Sequence, residues 1–241
     1  MSTDRKLSPY PIARKALAWC VHGLTASGAV WGMLAILAIF QNAWHEALVW
    51  MAVAVVVDGV DGTFARWINV KAVLPDFDGA LLDQVIDFLN YVVVPALFLY
   101  RSEMLPERLA LSCAVTIVLA SSYQFCHAQA KTPDNYFRGF PSYWNITVFY
   151  LLVLELSAWW NLAIVAVLTL LIFIPIKYIY PTRTHRFHRL TMPLTLIWGA
   201  AVIVVVARPD AAPQWLIWGS LFYGVYYVAL SIYIMFDERV A

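Results

Sequence analysis

The chain has 241 residues, is 62% hydrophobic and only 13% charged, and has a mean hydropathy of +0.71. Soluble domains run about 45–50% apolar and about 25% charged, so the composition excludes a soluble enzyme, a disordered chain and a disulfide scaffold and points to a polytopic membrane protein. A net charge of +1 gives no footprint for a nucleic-acid partner.

A basic lead-in over 2–15 precedes about eight apolar stretches: 16–40, 45–66, 80–101, 108–130, 143–158, 160–180, 190–207 and 214–236. Each approaches the roughly 20 residues that cross a bilayer. The fifth is short, and its boundary with the sixth, at Ser157–Asn161, is soft. Trp44, Trp159, Trp160, Tyr178, Tyr180, Trp215 and Trp218 crowd the segment ends, as interfacial belts do. The first stretch is too long for a signal peptide, and further spans follow it. Cys20, Cys113 and Cys126 have no metal spacing and read as small hydrophobes. The expected fold is all-α: one polytopic membrane domain over residues 1–241, with about eight transmembrane helices.

Placing the N-terminus inside puts 13 of the 16 Lys and Arg on the cytoplasmic side, leaving Arg101, Arg108 and Arg208 outside. With an even number of spans, both termini are then cytoplasmic. The two longest connections, near 66–79 and 131–142, face the same side.

Six of the 15 acidic residues fall between 58 and 87. Asp76 and Asp78 belong to the connection, whereas Asp58, Asp61, Asp83 and Asp87 interrupt apolar helices. An Asp at a helix centre costs about 2.5–3.5 kcal/mol on insertion scales, so a cation, water or partner is expected to compensate. Asp58 and Asp61 share one helix face at i,i+3, and Asp83 and Asp87 share another at i,i+4. Counting outward from the connection sets 58 opposite 87 and 61 opposite 83, which brings all four carboxylates to nearly one depth in the cytoplasmic leaflet. Such oxygens suit Mg²⁺ or Mn²⁺, as one ion or two. The alternative is a structural ion-pair network, but Arg66 is the single Lys or Arg at the cytoplasmic ends of these two helices, against four acids. Glu46 and Glu155 sit near outer helix ends and can snorkel. Gly62 and Gly79 flank the cluster and permit close approach of a ligand or of a neighbouring helix.

As one string, residues 58–87 read DGVDGTFARWINVKAVLPDFDGALLDQVID. This resembles the signature of the CDP-alcohol phosphotransferase family, D-x-x-D-G-x-x-A-R followed by G-x-x-x-D-x-x-x-D. Asp58, Asp61, Gly62, Ala65, Arg66, Gly79, Asp83 and Asp87 match every fixed position. The resemblance implies that Asp58, Asp61, Asp83 and Asp87 hold two Mn²⁺ or Mg²⁺ ions. It makes Asp87 the general base, sets Gly62, Ala65, Arg66 and Gly79 against the CDP-lipid, and implies a homodimer. The implied reaction is in-line attack of a hydroxyl on a CDP-activated phosphorus, releasing CMP. FDGALLDQVIDFLNYVVVPALFLY and NYFRGFPSYWN are similar to the bacterial members that join CDP-diacylglycerol to choline, which implies an inner-membrane protein with a cytoplasm-facing site.

Choline offers no N–H, so aromatic faces must hold it. Tyr136, Tyr143 and Trp144, with Phe137 and Phe140 nearby, are candidates, although interfacial belts have the same composition. Arg183, Arg186 and Arg189, with His185 and His188, either grip a diphosphate or anchor to the anionic leaflet, the latter reading being favoured. Thr25 and Ser27 either meet cytidine or allow close helix packing. His127, with Gln129 and Lys131, either lines the acceptor's access route or sits satisfied at the interface. Three competing functions remain: a cation-coupled transporter, a phosphatidyltransferase acting on serine, inositol phosphate or glycerol phosphate, and transfer from CDP-choline to diacylglycerol. The transporter fits less well, because the acids lie toward one surface and no repeat is evident.

Overall fold

A computed structural model describes residues 10–181, 183–184 and 186–240, without the side chains of residues 210 and 238–240. Arg5, Lys6, His185 and the side chain of Arg239, all used in the orientation or basic-loop arguments, lie outside the described residues. Helices α1 (Ile12–Phe40) and α2 (Trp44–Ile68) form the most extensive helix pair. A short α3 (Val70–Val73) leads to α4 (Gly79–Phe88), a π-helical turn (Leu89–Val93) and α5 (Val94–Arg101), which together make one span. Then come α6 (Glu107–Cys126), β1 (Tyr136–Arg138), α7 (Trp144–Val153), α8 (Ala158–Phe173), β2 (Lys177–Ile179), α9 (His188–Ala207) and α10 (Gln214–Val240).

Among the described residues, six segments are long and apolar enough to cross a membrane: α1, α2, α4 through α5, α6, α9 and α10. The fifth and sixth expected spans are shorter than the sequence suggested. Helix α7 has 10 residues and α8 has 16, or about 15 and 24 Å of rise against about 30 Å of hydrocarbon. The chain turns at Leu154–Ser157, where Glu155 adopts a left-handed backbone conformation. Both short helices still run between the two ends of the bundle. At one end, Asn161 Nδ2 donates to Met104 O in the α5–α6 connection, 2.9 Å away. At the other, Phe140 N donates to Leu171 O at 3.0 Å.

An antiparallel pair β1–β2, which hydropathy patterning does not signal, runs in register Tyr136↔Ile179, Phe137↔Tyr178 and Arg138↔Lys177. It clips the α6–α7 connection to the α8–α9 connection. Lys177 Nζ lies 2.8 Å from Asp134 Oδ2 beside it. Burial pushes the Asp134 carboxyl up, but hydrogen bonds from Lys177 and Thr132 outweigh this and hold it below the usual range. The pair lies against α10: Tyr136 and Ile179 pack with Ile234, and Tyr227 Oη donates to Ile179 O at 2.9 Å.

Small residues let α1 approach its neighbours. Its buried positions include Ala18, Thr25, Gly28, Gly32 and Ala35, a small-residue stripe of the kind that lets membrane helices pack closely. A Cβ on Gly28 would collide with Ile86 of α4. Asn90 Nδ2 bridges the two helices by donating to Gly28 O at 3.0 Å.

Candidate active site

The chain enters the site through two caps. Asn69, at φ 57°, ends α2. Asp78 starts α4 by accepting from the N–H groups of Ala80 and Leu81 at 3.1 and 3.0 Å, an N-cap that satisfies otherwise orphaned donors. The connection between them sets α2 and α4 so that Asp58, Asp83 and Asp87 converge. One oxygen from each lies within 4.8 Å of the others. The space among them is about 10 Å³, room for about one water-sized body; Thr25, Asp61, Asn90 and Tyr91 join the three carboxylates on its polar side, and Gly28, Ala54, Val57 and Ile86 close the rest. Asp61 is 3% exposed and shares this cavity, but it stands outside the mutual cluster. The face-to-face approach of Asp58 and Asp87 follows the counting from the connection. Among the described residues, no Lys or Arg forms an ion pair with the three clustered carboxylates.

Tyr91 is a site residue that sequence reasoning missed. Its Oη donates to Asp58 Oδ2 at 2.7 Å. The signal was available, since Tyr91 follows Asp87 by four residues and continues the face that carries Asp83 and Asp87. Tyr91 lies on the π-helical turn, where Val94 N donates to Leu89 O. Pro95 cannot donate to Tyr91 O, so the regular ladder must shift here.

The four residues expected against the CDP-lipid have different surroundings. Gly62 is open, its nearest neighbour beyond a virtual Cβ being Arg66 at 3.4 Å. Arg66 is exposed and donates to Thr63 Oγ1 at 3.1 Å. Ala65 instead packs with Ala18, Val21, Val70 and Val73. Gly79 is closed off by His22, whose imidazole occupies the place a Cβ would take. His22 is buried between Gly79 and Phe77, the His22 and Phe77 ring centroids being 4.5 Å apart, and its Nε2 has no hydrogen-bond partner among the described residues. Thr25 and Ser27 bond back to α1 carbonyls.

The three aromatic candidates separate. Tyr143 lies at the site, 6.0 Å from Tyr91 between ring centroids. Trp144 is fully buried, donates to Ser121 Oγ at 2.8 Å and packs edge-on against Phe140, so it serves the core and offers no ligand a face. Tyr136 is turned by strand alternation toward α10, while its neighbour Phe137 faces Tyr143 and Tyr180. The basic loop also divides. Arg186 pairs with Asp237, whereas Arg183 lies over the Tyr180 ring, 5.1 Å from its centroid.

A carboxylate cluster held between two membrane helices, in the spacing of the signature above, defines a membrane-embedded group-transfer enzyme rather than a soluble one. The family model for CDP-alcohol phosphatidyltransferase matches residues 22–173, and the chain belongs to that family. It is 43% identical over 208 residues to a phosphatidylcholine synthase of Pseudomonas aeruginosa, covering 86% of this chain and 87% of that protein. It is 46% identical over 176 residues to one of Legionella pneumophila, covering 73% and 69%. It is 36% identical over 226 residues to one of Borreliella burgdorferi, covering 92% and 96%.

Proposed function

We propose that the protein transfers the phosphatidyl group of CDP-diacylglycerol to choline and releases CMP. The observation that carries this reading is the convergence of Asp58, Asp83 and Asp87 within 4.8 Å. The names of the relatives support choline as the acceptor.

The residues fit a divalent cation. Their donors are all hard oxygens, they surround a space of about 10 Å³, and no basic side chain neutralises them by ion pairing among the described residues. Asp58, Asp83 and Asp87 would hold Mn²⁺ or Mg²⁺, with Asp61 extending the set for a second ion. When bound, such ions neutralise charge on the diphosphate. Asp87 takes the proton of the choline hydroxyl. The choline oxygen then bonds to the phosphorus that carries diacylglycerol, and the bond from that phosphorus to the CMP oxygen breaks. Arg66, exposed and hydrogen-bonded to Thr63, pairs with the diphosphate. Gly62 leaves room beside it. Tyr91 holds Asp58 in place through its 2.7 Å bond.

The site faces the cytoplasm of a bacterial inner membrane in this reading. The connections around it hold Lys71, Lys131, Arg138, Lys177, Arg183 and Arg186, and cytoplasmic connections favour Lys and Arg. Family resemblance supports a homodimer. The test is purified protein in lipid, labelled CDP-diacylglycerol, and a panel of choline, ethanolamine, serine, inositol phosphate and glycerol phosphate. Phosphatidylcholine should form with choline, disappear under chelator and return with Mn²⁺ or Mg²⁺. Full turnover in excess chelator would overturn the metal assignment. Phosphatidylserine formation with choline ignored would overturn the acceptor alone.

A further inference from the structure

We propose that Tyr143 and Tyr180 form the subsite for the acceptor's quaternary ammonium, beside the carboxylate cluster; this rests on the choline reading above. The rings come from segments distant in sequence. Tyr143 precedes α7, Tyr180 follows β2, and Phe137 on β1 stands between them. Tyr91, fixed to Asp58 by its hydroxyl, has its ring 6.0 Å from that of Tyr143, tilted by 50°. Tyr143 meets Phe137 edge-on at 6.0 Å and 84°. Phe137 stacks on Tyr180 at 4.6 Å and 29°. Four rings thus make a continuous wall beside the carboxylates. Phe137 is buried and braces it, while Tyr91, Tyr143 and Tyr180 stay partly exposed.

The wall has the chemistry a quaternary ammonium requires. That group offers no N–H, and its attraction is to the negative face of an aromatic ring. In choline only two carbons separate the hydroxyl from the nitrogen. A hydroxyl presented to Asp87 therefore leaves the nitrogen against the first rings beyond the cluster. Tyr143 and Tyr180 both lie within electrostatic reach of Asp58 and Asp87, which sets these rings beside the cluster, so that the ring faces are what hold a cation placed there. The wall already receives positive charge in this structure, with the Arg183 guanidinium over the Tyr180 ring at 5.1 Å. The other aromatic candidates lack these features, since Trp144 is wholly in the core and Tyr136 faces α10.

The experiment varies choline and CDP-diacylglycerol separately, using native protein in lipid and the variants Tyr143→Leu, Tyr143→Gln, Tyr180→Leu and Tyr180→Gln, none of which keeps a π face. Each should raise the KM for choline by a few-fold to about thirtyfold and leave the KM for CDP-diacylglycerol unchanged, which also reports an intact fold. Tyr143→Phe and Tyr180→Phe, which keep the ring, should bring the choline KM back toward the native value relative to the ring-less variants. An unchanged choline KM in the ring-less variants, with native protein still making phosphatidylcholine, overturns the subsite and leaves the acceptor reading standing. A parallel rise in both KM values overturns the subsite as one specific to choline. If native protein makes a different lipid, the acceptor reading falls, and the subsite with it.

Discussion

Asp58 and Asp87 sit in one cluster, yet their roles separate on removal. Asp58 accepts the Tyr91 hydroxyl and reaches the cluster from α2, opposite Asp83 and Asp87 on α4, so its loss removes one whole wall of the oxygen cage. Asp58→Ala should therefore weaken Mn²⁺ binding and CDP-diacylglycerol binding along with turnover. Asp87→Asn keeps an oxygen and the side-chain shape but cannot take the acceptor proton. It should lose about 10²–10⁴-fold in turnover and retain CDP-diacylglycerol binding, as read by equilibrium binding alongside kcat. Native turnover in Asp87→Asn would place the base elsewhere. The four acids were legible in the sequence because a carboxylate inside an apolar run is costly and demands an explanation. Tyr91 was not noticed because a tyrosine in a membrane helix demands none; only its i+4 relation to Asp87 marks it. The placement of Tyr136 and Trp144 was hidden for a related reason. An aromatic run in sequence shows that rings are near each other, not which way each points, and here one ring turns to α10 and another enters the core.

Elements meet at this site through deliberate smallness. Gly79 starts α4 one turn before Asp83, and His22 of α1 fills the space where a side chain would stand. The sequence allowed two explanations for this glycine, ligand approach or helix packing, and the geometry has a helix neighbour in that space. Gly79→Ala should force α1 and α4 apart or displace the imidazole, at about 1–3 kcal/mol, the usual cost of overpacking. The shift would also move Asp83 and Asp87 relative to Asp58, so turnover should fall together with thermal stability in detergent. His22→Ala in the same chain should recover much of the stability, giving a non-additive double-mutant cycle. Strict additivity would mean that the two side chains do not compete for this space. The β1–β2 pair, by contrast, could not be read in advance. Three-residue strands within connections carry no period, and their partners lie 41 residues apart in register at Phe137 and Tyr178. That pairing is what brings Phe137 and Tyr180 against Tyr143.

At the scale of the whole molecule, α7 and α8 decide whether the chain crosses the membrane six times or eight. The six long helices are apolar enough to span, while α7 and α8 are shorter. A hairpin of two short helices that dips into the bilayer and returns is the alternative to full passage. The contacts favour full passage: Asn161, at the start of α8, bonds to Met104 O in the α5–α6 connection, on the end opposite the aspartate cluster. His45, at the start of α2 and on that same end, bonds to Val206 O near the end of α9. Glu155, in the α7–α8 turn, therefore lies at the bundle end that also carries Gln41. With Cys20, Cys113 and Cys126 replaced by Ala, single cysteines at Gln41, Asp76, Asp134 and Glu155, all exposed, separate the arrangements. An impermeant maleimide applied to intact spheroplasts should label Gln41→Cys and Glu155→Cys, and should reach Asp76→Cys and Asp134→Cys only after permeabilisation. Labelling at Glu155→Cys carries the count to eight, with both chain ends on the side of the aspartates. Protection of Glu155→Cys while Gln41→Cys is labelled would make α7 and α8 a re-entrant pair. The reverse pattern, with Asp76→Cys labelled in intact spheroplasts, would turn the whole bundle over and place the carboxylates on the outer face.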